Sequence, residues 1–343
     1  MINAALLTLT LTAGFATAQP AVADVCDVAD RRLEELSGLA SDGDRWFAVN
    51  DSDNGAIEVH VLDRRCRITD TITAATNPYD VEDLALAPDG TLWLADTGDN
   101  GKSRETVALH AVGQDGSARI FRFTYPDGKH DAEALLLAAD GTPHLVTKEP
   151  IGSALVYRPA GAWDGAGPTP LEQVARVSIS GTDTPGGPVQ SSVMTRVVTG
   201  GAMSKDGKVA ALRTYTDAYL FPVPDGDLAT ALEGDPVRIP LPDEAQGEAI
   251  AFDPDGTLLS ASEFGNQGAT SSTVRAVAGA AASAIPKPTT TAPAPEEPGR
   301  GEPAAVDTSA SPEERPLWPV LGAGAAALAL VALAIRRSRR RRV

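Results

Sequence analysis

Carboxylic acids recur at matching places in this sequence. Glu82, Glu133 and Glu248 each open an apolar run that ends at an Asp-Gly turn. Carboxylate oxygens brought together from separate segments are the ligands that Ca²⁺ prefers in proteins. The pattern therefore predicts a site for Ca²⁺ or a similar hard cation, whose ligands would be Glu82, Glu133, Glu248, Asp80 and Asp131. The alternative is a solvated or salt-bridged ring of acids that binds no metal.

A second set of polar residues ends the apolar run that follows each Asp-Gly turn. Aligned through the turns, the five positions are Asp51, Asp96, Thr147, Arg213 and Ser262, and Lys148 follows Thr147 directly. We expect these positions to face the same site as the acids. The predicted ligand-binding residues are therefore Asp51, Asp96, Arg213 and Lys148. The two cations favour the salt-bridged alternative, because they would neutralise the carboxylates.

Few residues are candidates for catalysis. Glu82 or Glu133 would be the general base of a metal-dependent hydrolase, in which the cation polarises a lactone or a phosphoester. His130, beside Asp131, is the third candidate. The four histidines form no pattern of metal ligands, and the nucleophile motif of serine hydrolases is absent from the sequence. We therefore favour a protein that binds a ligand or partner at the acidic site. The hydrolase and a purely structural envelope role are the alternatives.

The pattern that carries these residues returns five times, and its copies open at Ser37, Glu82, Glu133, Thr199 and Glu248. Each copy holds short strand-like runs joined by tight turns, and Asp-Gly is a strong hairpin signal. Repeats of about fifty residues with four strands each are typical of a β-propeller, which is an all-β fold. We predict about five four-stranded blades, with six as the alternative. The polar residues described above would then converge on one mouth of the central channel.

The two ends of the propeller region complement each other. The last copy is one strand short, and residues 24–32 precede the first copy with no place in it. An N-terminal strand that completes the last blade would leave no exposed edge, so we predict this closure. It brings Cys26 beside Cys66. These are the only two cysteines, and in an oxidising compartment such a pair forms a disulfide; the alternative is two separately buried thiols.

The termini indicate export and membrane anchoring. Residues 1–23 are apolar and end in small residues, as in a signal peptide, although no basic residue precedes the apolar run. Residues 317–335 carry no charge and precede an arginine-rich tail, 336–343, which predicts one transmembrane helix with a cytoplasmic tail. Residues 279–316 are rich in Pro, Thr, Ala and Glu and predict a disordered stalk. The propeller, 24–278, would lie outside a cell membrane that the chain crosses once.

The charge of the chain excludes one class of partner. The formal net charge is −17, and six arginines of the tail belong to the predicted cytoplasmic side. The remainder holds 23 basic residues against 46 acidic residues. Such an anionic surface repels phosphate backbones, so we expect no binding of nucleic acid. A cationic partner or a metal ion is compatible with it.

Several segments resemble a family of bacterial secreted, membrane-anchored β-propellers with NHL- or WD40-like labels. The segments are Leu36–Ala40 with Asn50–Ser52, Asp80–Ala85 with Ala95–Asn100, Tyr125–Leu135, and Gln246–Ile250. The resemblance covers about 24–278 and implies a propeller fold, but its motifs carry no agreed activity. One departure is Ala202, where the family pattern suggests an acid. The calcium-dependent propeller hydrolases of the lactonase and phytase kind are similar in architecture only.

Overall fold

Short antiparallel strands make up almost the whole structure, a computed structural model that describes residues 21–51, 55–265 and 268–285. The chain begins with β1 (Val22–Val28), and the later strands follow in consecutive groups of four. Group 1 contains β2 (Leu36–Ser41), β3 (Trp46–Asn50), β4 (Ile57–Leu62) and β5 (Ile68–Ala74). Group 2 contains β6 (Val81–Leu86), β7 (Leu92–Asp96), β8 (Val107–Val112) and β9 (Ala118–Thr124).

The remaining groups have the same organisation. Group 3 contains β10 (Ala132–Leu137), β11 (Pro143–Thr147), β12 (Ala154–Pro159) and β13 (Thr169–Val177). Group 4 contains β14 (Val198–Met203), β15 (Val209–Thr214), β16 (Asp217–Pro222) and β17 (Val237–Pro240). Group 5 contains β18 (Gln246–Phe252), β19 (Leu258–Glu263), β20 (Ser272–Val277) and β1. Two short α-helices, α1 (Leu228–Leu232) and α2 (Ala280–Ala284), follow β16 and β20.

The Asp-Gly sequences form the hairpins between first and second strands. Gly90 has a φ of 88°, a left-handed conformation that glycine adopts without steric cost. The Asp89 carboxylate accepts a hydrogen bond from the backbone N–H of Thr91 at 2.9 Å, which fixes the turn. The turns at Asp140 and Asp255 repeat this bond. The repeated motif therefore sets the register of each hairpin.

The first strands of the groups pack side by side in a closed order. β2 lies between β18 and β6, β10 lies between β6 and β14, and β14 adjoins β18. In the described part of the chain, five apolar clusters fill the spaces between neighbouring groups, and each cluster draws buried residues from two of them. This ring of antiparallel sheets around a channel is a β-propeller, as the repeat predicts.

The N-terminal strand completes the last group, which confirms the predicted closure. β1 pairs with the outer edge of β20, from Val22 opposite Val277 to Val28 opposite Ser272. Cys26 of β1 forms a disulfide with Cys66, which lies in the turn between β4 and β5, and their Cα atoms are 5.8 Å apart. The bridge therefore joins group 5 to group 1, the two groups whose contact closes the ring.

Helix α2 lies just past the predicted end of the propeller. We placed the start of the stalk at residue 279, but residues 280–284 form α2, and Ala280 and Ala284 are buried in the cluster between groups 4 and 5. Burial of these alanines extends the folded region past the predicted boundary. Most of the predicted signal peptide, the stalk from 286 and the transmembrane helix lie outside the described residues. Among the residues described, no helix is long and apolar enough to cross a membrane.

Candidate functional site

Carboxylates from several groups converge at one end of the ring, where first strands begin and second strands end. We call this end the mouth. Within it, oxygens of Asp51, Asp80 and Glu82 lie within 4.8 Å of one another, and so do oxygens of Glu82, Asp131 and Glu133. The two triads share Glu82. Four of the five predicted metal ligands therefore lie together, and Asp51, predicted to bind a ligand, joins them.

Glu248, the fifth predicted metal ligand, borders this cluster. Its Oε2 accepts a hydrogen bond from Ser37 Oγ at 2.9 Å, and its Oε1 accepts one from Gln246 Nε2 at 3.1 Å. Gln246 also donates to Glu263 Oε2 at 2.6 Å. The negative charge of Glu248 acts on Asp51 and Glu133, so it belongs to the same electrostatic environment. It lies outside both triads.

Burial and mutual repulsion make the ionised form of these acids costly. Burial, followed by the charges of Glu133, Asp51 and Asp80, raises the pKa of Glu82 well above its usual range. Burial and Asp80 raise the pKa of Asp51 well above its usual range as well. A carboxylate in such surroundings stays ionised only when a cation compensates it. The cluster therefore has the charge and the donor atoms for a hard cation.

One loop holds the cluster from the side of group 2. The backbone N–H of Asp99 donates to Asp131 Oδ1 at 2.7 Å, and the N–H of Gly98 donates to the carbonyl of Asp80 at 3.2 Å. A Cβ atom at Gly98 would overlap Glu82 Oε1 and lie 2.7 Å from Asp80 Oδ2. Only glycine leaves room for both carboxylates here. The sequence pattern gave no indication of this role of Gly98.

Lys148 lies in the mouth, as predicted, and contacts the cluster. Its Nζ donates to Glu133 Oε1 at 2.7 Å and lies 5.7 Å from the centre of the Tyr215 ring. Burial alone would lower the pKa of Lys148, but Glu133, Tyr215, Glu248 and Asp131 hold it well above its usual range. Lys148 is therefore a charged ammonium. One positive charge is too little to neutralise the carboxylates around it.

Arg213 is not at the mouth, in contrast to our prediction. Its side chain is completely buried, and its Nη2 donates to Glu244 Oε2 at 2.6 Å. Its Nη1 donates to Ser260 Oγ and to the carbonyls of Ala249 and Ala261. The guanidinium thus joins group 4 to group 5 inside the wall of the ring. A residue held in this way has no free donor for a ligand.

Asp96, another predicted ligand-binding residue, is held by hydrogen bonds at the end of β7. Its Oδ1 accepts hydrogen bonds from the N–H of Asp80 at 3.0 Å and from Arg104 Nη2 at 2.8 Å. His110 Nε2 lies 3.0 Å from its Oδ2. These partners hold the pKa of Asp96 below its usual range although burial acts in the opposite direction. Asp96 holds the backbone N–H of Asp80 in position, but it does not belong to either triad.

The errors at the second-strand ends share one physical cause. Asn50, Asp96, Thr147 and Ser262 occupy equivalent positions opposite Leu36, Val81, Ala132 and Gly247. Side chains alternate along a strand, so a shift of one residue reverses the face they occupy. The next residues in three groups, Asp51, Lys148 and Glu263, are the ones associated with the cluster. Tyr215 and Glu263 were missed for this reason.

His130 takes part in a contact network of its own beside the mouth. Its Nε2 lies 3.1 Å from Asp127 Oδ1 and 3.0 Å from the Tyr157 hydroxyl, and its ring packs edge-on against Tyr125. Glu149 lies 3.7 Å from its Nδ1. The described contacts of His130 include none of the carboxylates of the two triads. The structure therefore places this candidate base apart from Glu82 and Glu133.

A further buried carboxylate, Asp83, connects first strands of different groups. Asp83 is completely buried, and its Oδ2 accepts hydrogen bonds from the N–H groups of Leu135 at 2.7 Å and Gly201 at 3.0 Å. Burial raises its pKa, and these backbone donors act in the opposite direction. Asp83 therefore ties the first strands of groups 2, 3 and 4 together. Its position next to Glu82 in a repeated motif gave no signal of this role.

Comparison with known proteins yields similarity of fold at low identity. No protein-family model and no curated protein matches the chain. An aldose sugar dehydrogenase from Streptomyces coelicolor is 12% identical over 76% of this chain and 98% of that chain, with a TM-score of 0.41. A virginiamycin B lyase from Staphylococcus aureus is 12% identical over 75% of this chain and 99% of that chain, with the same TM-score.

A putative 6-phosphogluconolactonase from Bacteroides uniformis is 17% identical over 66% of this chain, with a TM-score of 0.36. The match spans 63% of the length of that lactonase. These three proteins are named as a lactonase, a dehydrogenase and a lyase, and their likeness to this chain is one of fold alone.

Proposed function

We propose that this protein is an exported propeller, anchored in the cell membrane by one C-terminal helix, that binds a ligand or protein partner at the mouth through a Ca²⁺-type ion. Each of the five strand groups is one blade in this proposal. The observation that carries it is the pair of carboxylate triads that share Glu82, with their oxygens within 4.8 Å. Three or more carboxylates at such distances match the oxygen-rich shell of Ca²⁺.

The balance of charge supports a cation over a self-neutralised ring. Asp51, Asp80, Glu82, Asp131 and Glu133 form the triads, and Lys148 pairs with Glu133 of this set. Arg213, which we expected to contribute a second positive charge, is paired with Glu244 inside the wall. The salt-bridged alternative therefore loses half of its cations. A bound divalent ion would supply the missing charge.

Thermal unfolding of the purified full-length protein tests the cation site. Ca²⁺ at one hundred times its Kd would stabilise the native state by about 2.7 kcal/mol relative to chelator. Glu82→Gln removes the carboxylate that the two triads share and should abolish most of this shift. Glu105→Gln is the matched control, because Glu105 is exposed and pairs with Lys129 away from the triads. Equal melting temperatures in Ca²⁺ and in chelator would contradict the proposal.

A metal-dependent hydrolase of lactones or phosphoesters is the second candidate. The observation that favours it is the raised pKa of Glu82 beside Glu133, whose carboxylate is paired with Lys148. A carboxyl group whose pKa is raised by burial and by neighbouring acids is suited to general acid–base catalysis. Turnover of a lactone or phosphoester that requires Ca²⁺ and is lost in Glu82→Gln would support this function. Stabilisation by Ca²⁺ without turnover favours the binding role.

The membrane anchor is tested separately from the site. The full-length chain should sediment with membranes, and a chain that ends before residue 317 should remain in the supernatant. Residues 317–335 carry no charge, and roughly 20 apolar residues span a bilayer. Equal partitioning of the two chains would overturn this part of the proposal.

A further inference from the structure

The mouth has two chemically different sides. Groups 1, 2, 3 and 5 contribute carboxylates to it. Group 4 has Thr199 where groups 2, 3 and 5 have a glutamate, and the Thr199 hydroxyl donates to the carbonyl of Gly247 at 2.8 Å. Group 4 also provides Tyr215, which lies against Lys148 of group 3. The mouth is therefore rich in acceptors on one side and carries hydrogen-bond donors on the other.

Lys148 and Tyr215 have donor capacity beyond their described contacts. An ammonium group has three N–H donors, and Lys148 uses one on Glu133 and another on the Tyr215 hydroxyl, which leaves one. Tyr215 is buried, and its phenol supplies one O–H donor. Since Lys148 has no acceptor, it cannot take the Tyr215 hydrogen. The O–H of Tyr215 is thus directed to some other acceptor.

The other polar groups nearby are already engaged. The amide of Gln246 donates to both Glu248 and Glu263, and the Ser37 hydroxyl donates to Glu248. Lys148 and Tyr215 are therefore the donors with which this part of the described structure can meet a negatively charged ligand. Without a cation the surrounding carboxylates would repel such a ligand. With a divalent cation in place, an anionic oxygen could bind the metal and these two donors together.

We infer that the ligand which completes the shell of the cation carries an anionic oxygen group, a phosphoryl-type or carboxylate group, and that Lys148 and Tyr215 hydrogen-bond to it. This inference rests on the proposed cation site and names the ligand class for it. The cation must bind first, because it supplies the charge that overcomes repulsion by the acids. The two ligands are then coupled, so the anion also raises the affinity for the cation, by linkage.

Calorimetric titration of the full-length protein with Ca²⁺ tests the coupling. The titration is repeated with an excess of methylphosphonate, the phosphoryl-type probe, or acetate, the carboxylate probe. At least one anion should raise the Ca²⁺ affinity of the wild-type protein by about 5- to 150-fold, the usual range for coupled sites. Neither anion should bind without Ca²⁺. The anion that responds identifies the chemical class of the ligand.

Substitutions at the two donors show whether they carry the effect. Lys148→Gln and Tyr215→Phe should still bind Ca²⁺ but lose the gain from the anion. Lys102→Gln and Tyr79→Phe are matched controls and should keep it, since Lys102 pairs with Glu149 and Tyr79 is exposed. If Lys148→Gln does not fold, Tyr215→Phe and the wild-type titrations decide the question.

The outcomes separate the two proposals. If Ca²⁺ does not bind to the wild-type protein, the cation site itself is wrong and this inference fails with it. If Ca²⁺ binds and neither anion changes its affinity, the cation site stands and this inference alone is overturned. An anion effect that persists in both Lys148→Gln and Tyr215→Phe would also overturn it.

Discussion

At the scale of single residues, the space left by one glycine decides whether the acidic cluster can form. Gly98 packs against Asp80 and Glu82 so closely that a Cβ atom would overlap a carboxylate oxygen. Its φ is not in the left-handed region, so alanine is excluded by the cluster and not by the backbone. A substitution of Gly98 therefore tests the site without removing any of its acids.

Gly98→Ala should weaken Ca²⁺ binding, because the added methyl group displaces Glu82 from its position in both triads. Overpacking of this kind costs about 1–3 kcal/mol, which corresponds to roughly 5- to 150-fold in affinity. The Ca²⁺-dependent shift of the melting temperature measures it. Gly101→Ala is the control in the same loop, because its nearest neighbour is Ser103 Oγ at 3.8 Å. Equal Ca²⁺ responses of the two variants would show that Gly98 does not shape the site.

At the scale of elements, the hairpin that follows β18 is bound to group 1 through Asp253. We call the contact of Asp253 with Arg64 and Ser41 the latch. Asp253 Oδ1 accepts hydrogen bonds from Arg64 Nη1 at 2.8 Å and from Ser41 Oγ at 2.5 Å. The Arg64 guanidinium also stacks over the ring of Trp46 at 4.4 Å. One carboxylate of group 5 thus holds three side chains of group 1. Group 1 and group 5 come from opposite ends of the propeller region, so this contact joins residues that are far apart in the chain.

The latch should make the closure of the ring sensitive to acid. Burial alone would raise the pKa of Asp253, but the bonds from Arg64 and Ser41 hold it below its usual range. Because the folded pKa lies below the unfolded one, the stabilisation is complete above about pH 4. It is lost as the pH falls through the depressed folded value.

Asp253→Asn should therefore lower the free energy of unfolding at neutral pH by about 1–2 kcal/mol, a value reduced for the partial exposure of Arg64. Urea denaturation at a series of pH values measures it, and the difference from wild type should shrink below about pH 4. Asp44→Asn, at an exposed residue of the neighbouring hairpin, should change little. A difference that stays constant down to low pH would refute the latch.

At the scale of the whole molecule, the ring is closed by noncovalent packing and by one covalent bond. β1 adds the outer strand to group 5, and the disulfide between Cys26 and Cys66 fastens that strand to group 1. The bond joins residues 40 positions apart in sequence. It restricts the unfolded chain and keeps β1, and with it group 5, in contact with group 1.

Replacement of both cysteines by alanine should reduce the free energy of unfolding by about 2–4 kcal/mol, the usual contribution of a disulfide. The midpoint of urea denaturation measures this loss. Reductant should shift the wild-type midpoint to that of the variant, because the chain has no other cysteine. Hydrogen exchange in β1 should accelerate in the variant. An unchanged midpoint would show that packing alone closes the ring.

The sequence by itself determined the repeated hairpins, the completion of the last group by the N-terminal strand and the pairing of the two cysteines. These follow from local rules: Asp-Gly fixes each turn, as at Asp89 and Gly90, and an incomplete last copy requires another strand. The glutamates at the starts of first strands could also be placed at one end of the ring. Glu82 and Glu133 are in the triads for that reason.

Only the tertiary structure decided which neighbouring side chains complete the site. A shift of one residue at a strand end sends a side chain to the opposite face, so Asp96 supports the site while Lys148 enters it. Arg213 forms an ion pair with Glu244, which precedes the first strand of the next group, and this contact depends on packing between sheets. Gly98 acquires its role from two carboxylates that approach through the fold. Such contacts depend on distances between groups, which sequence spacing within one repeat does not specify.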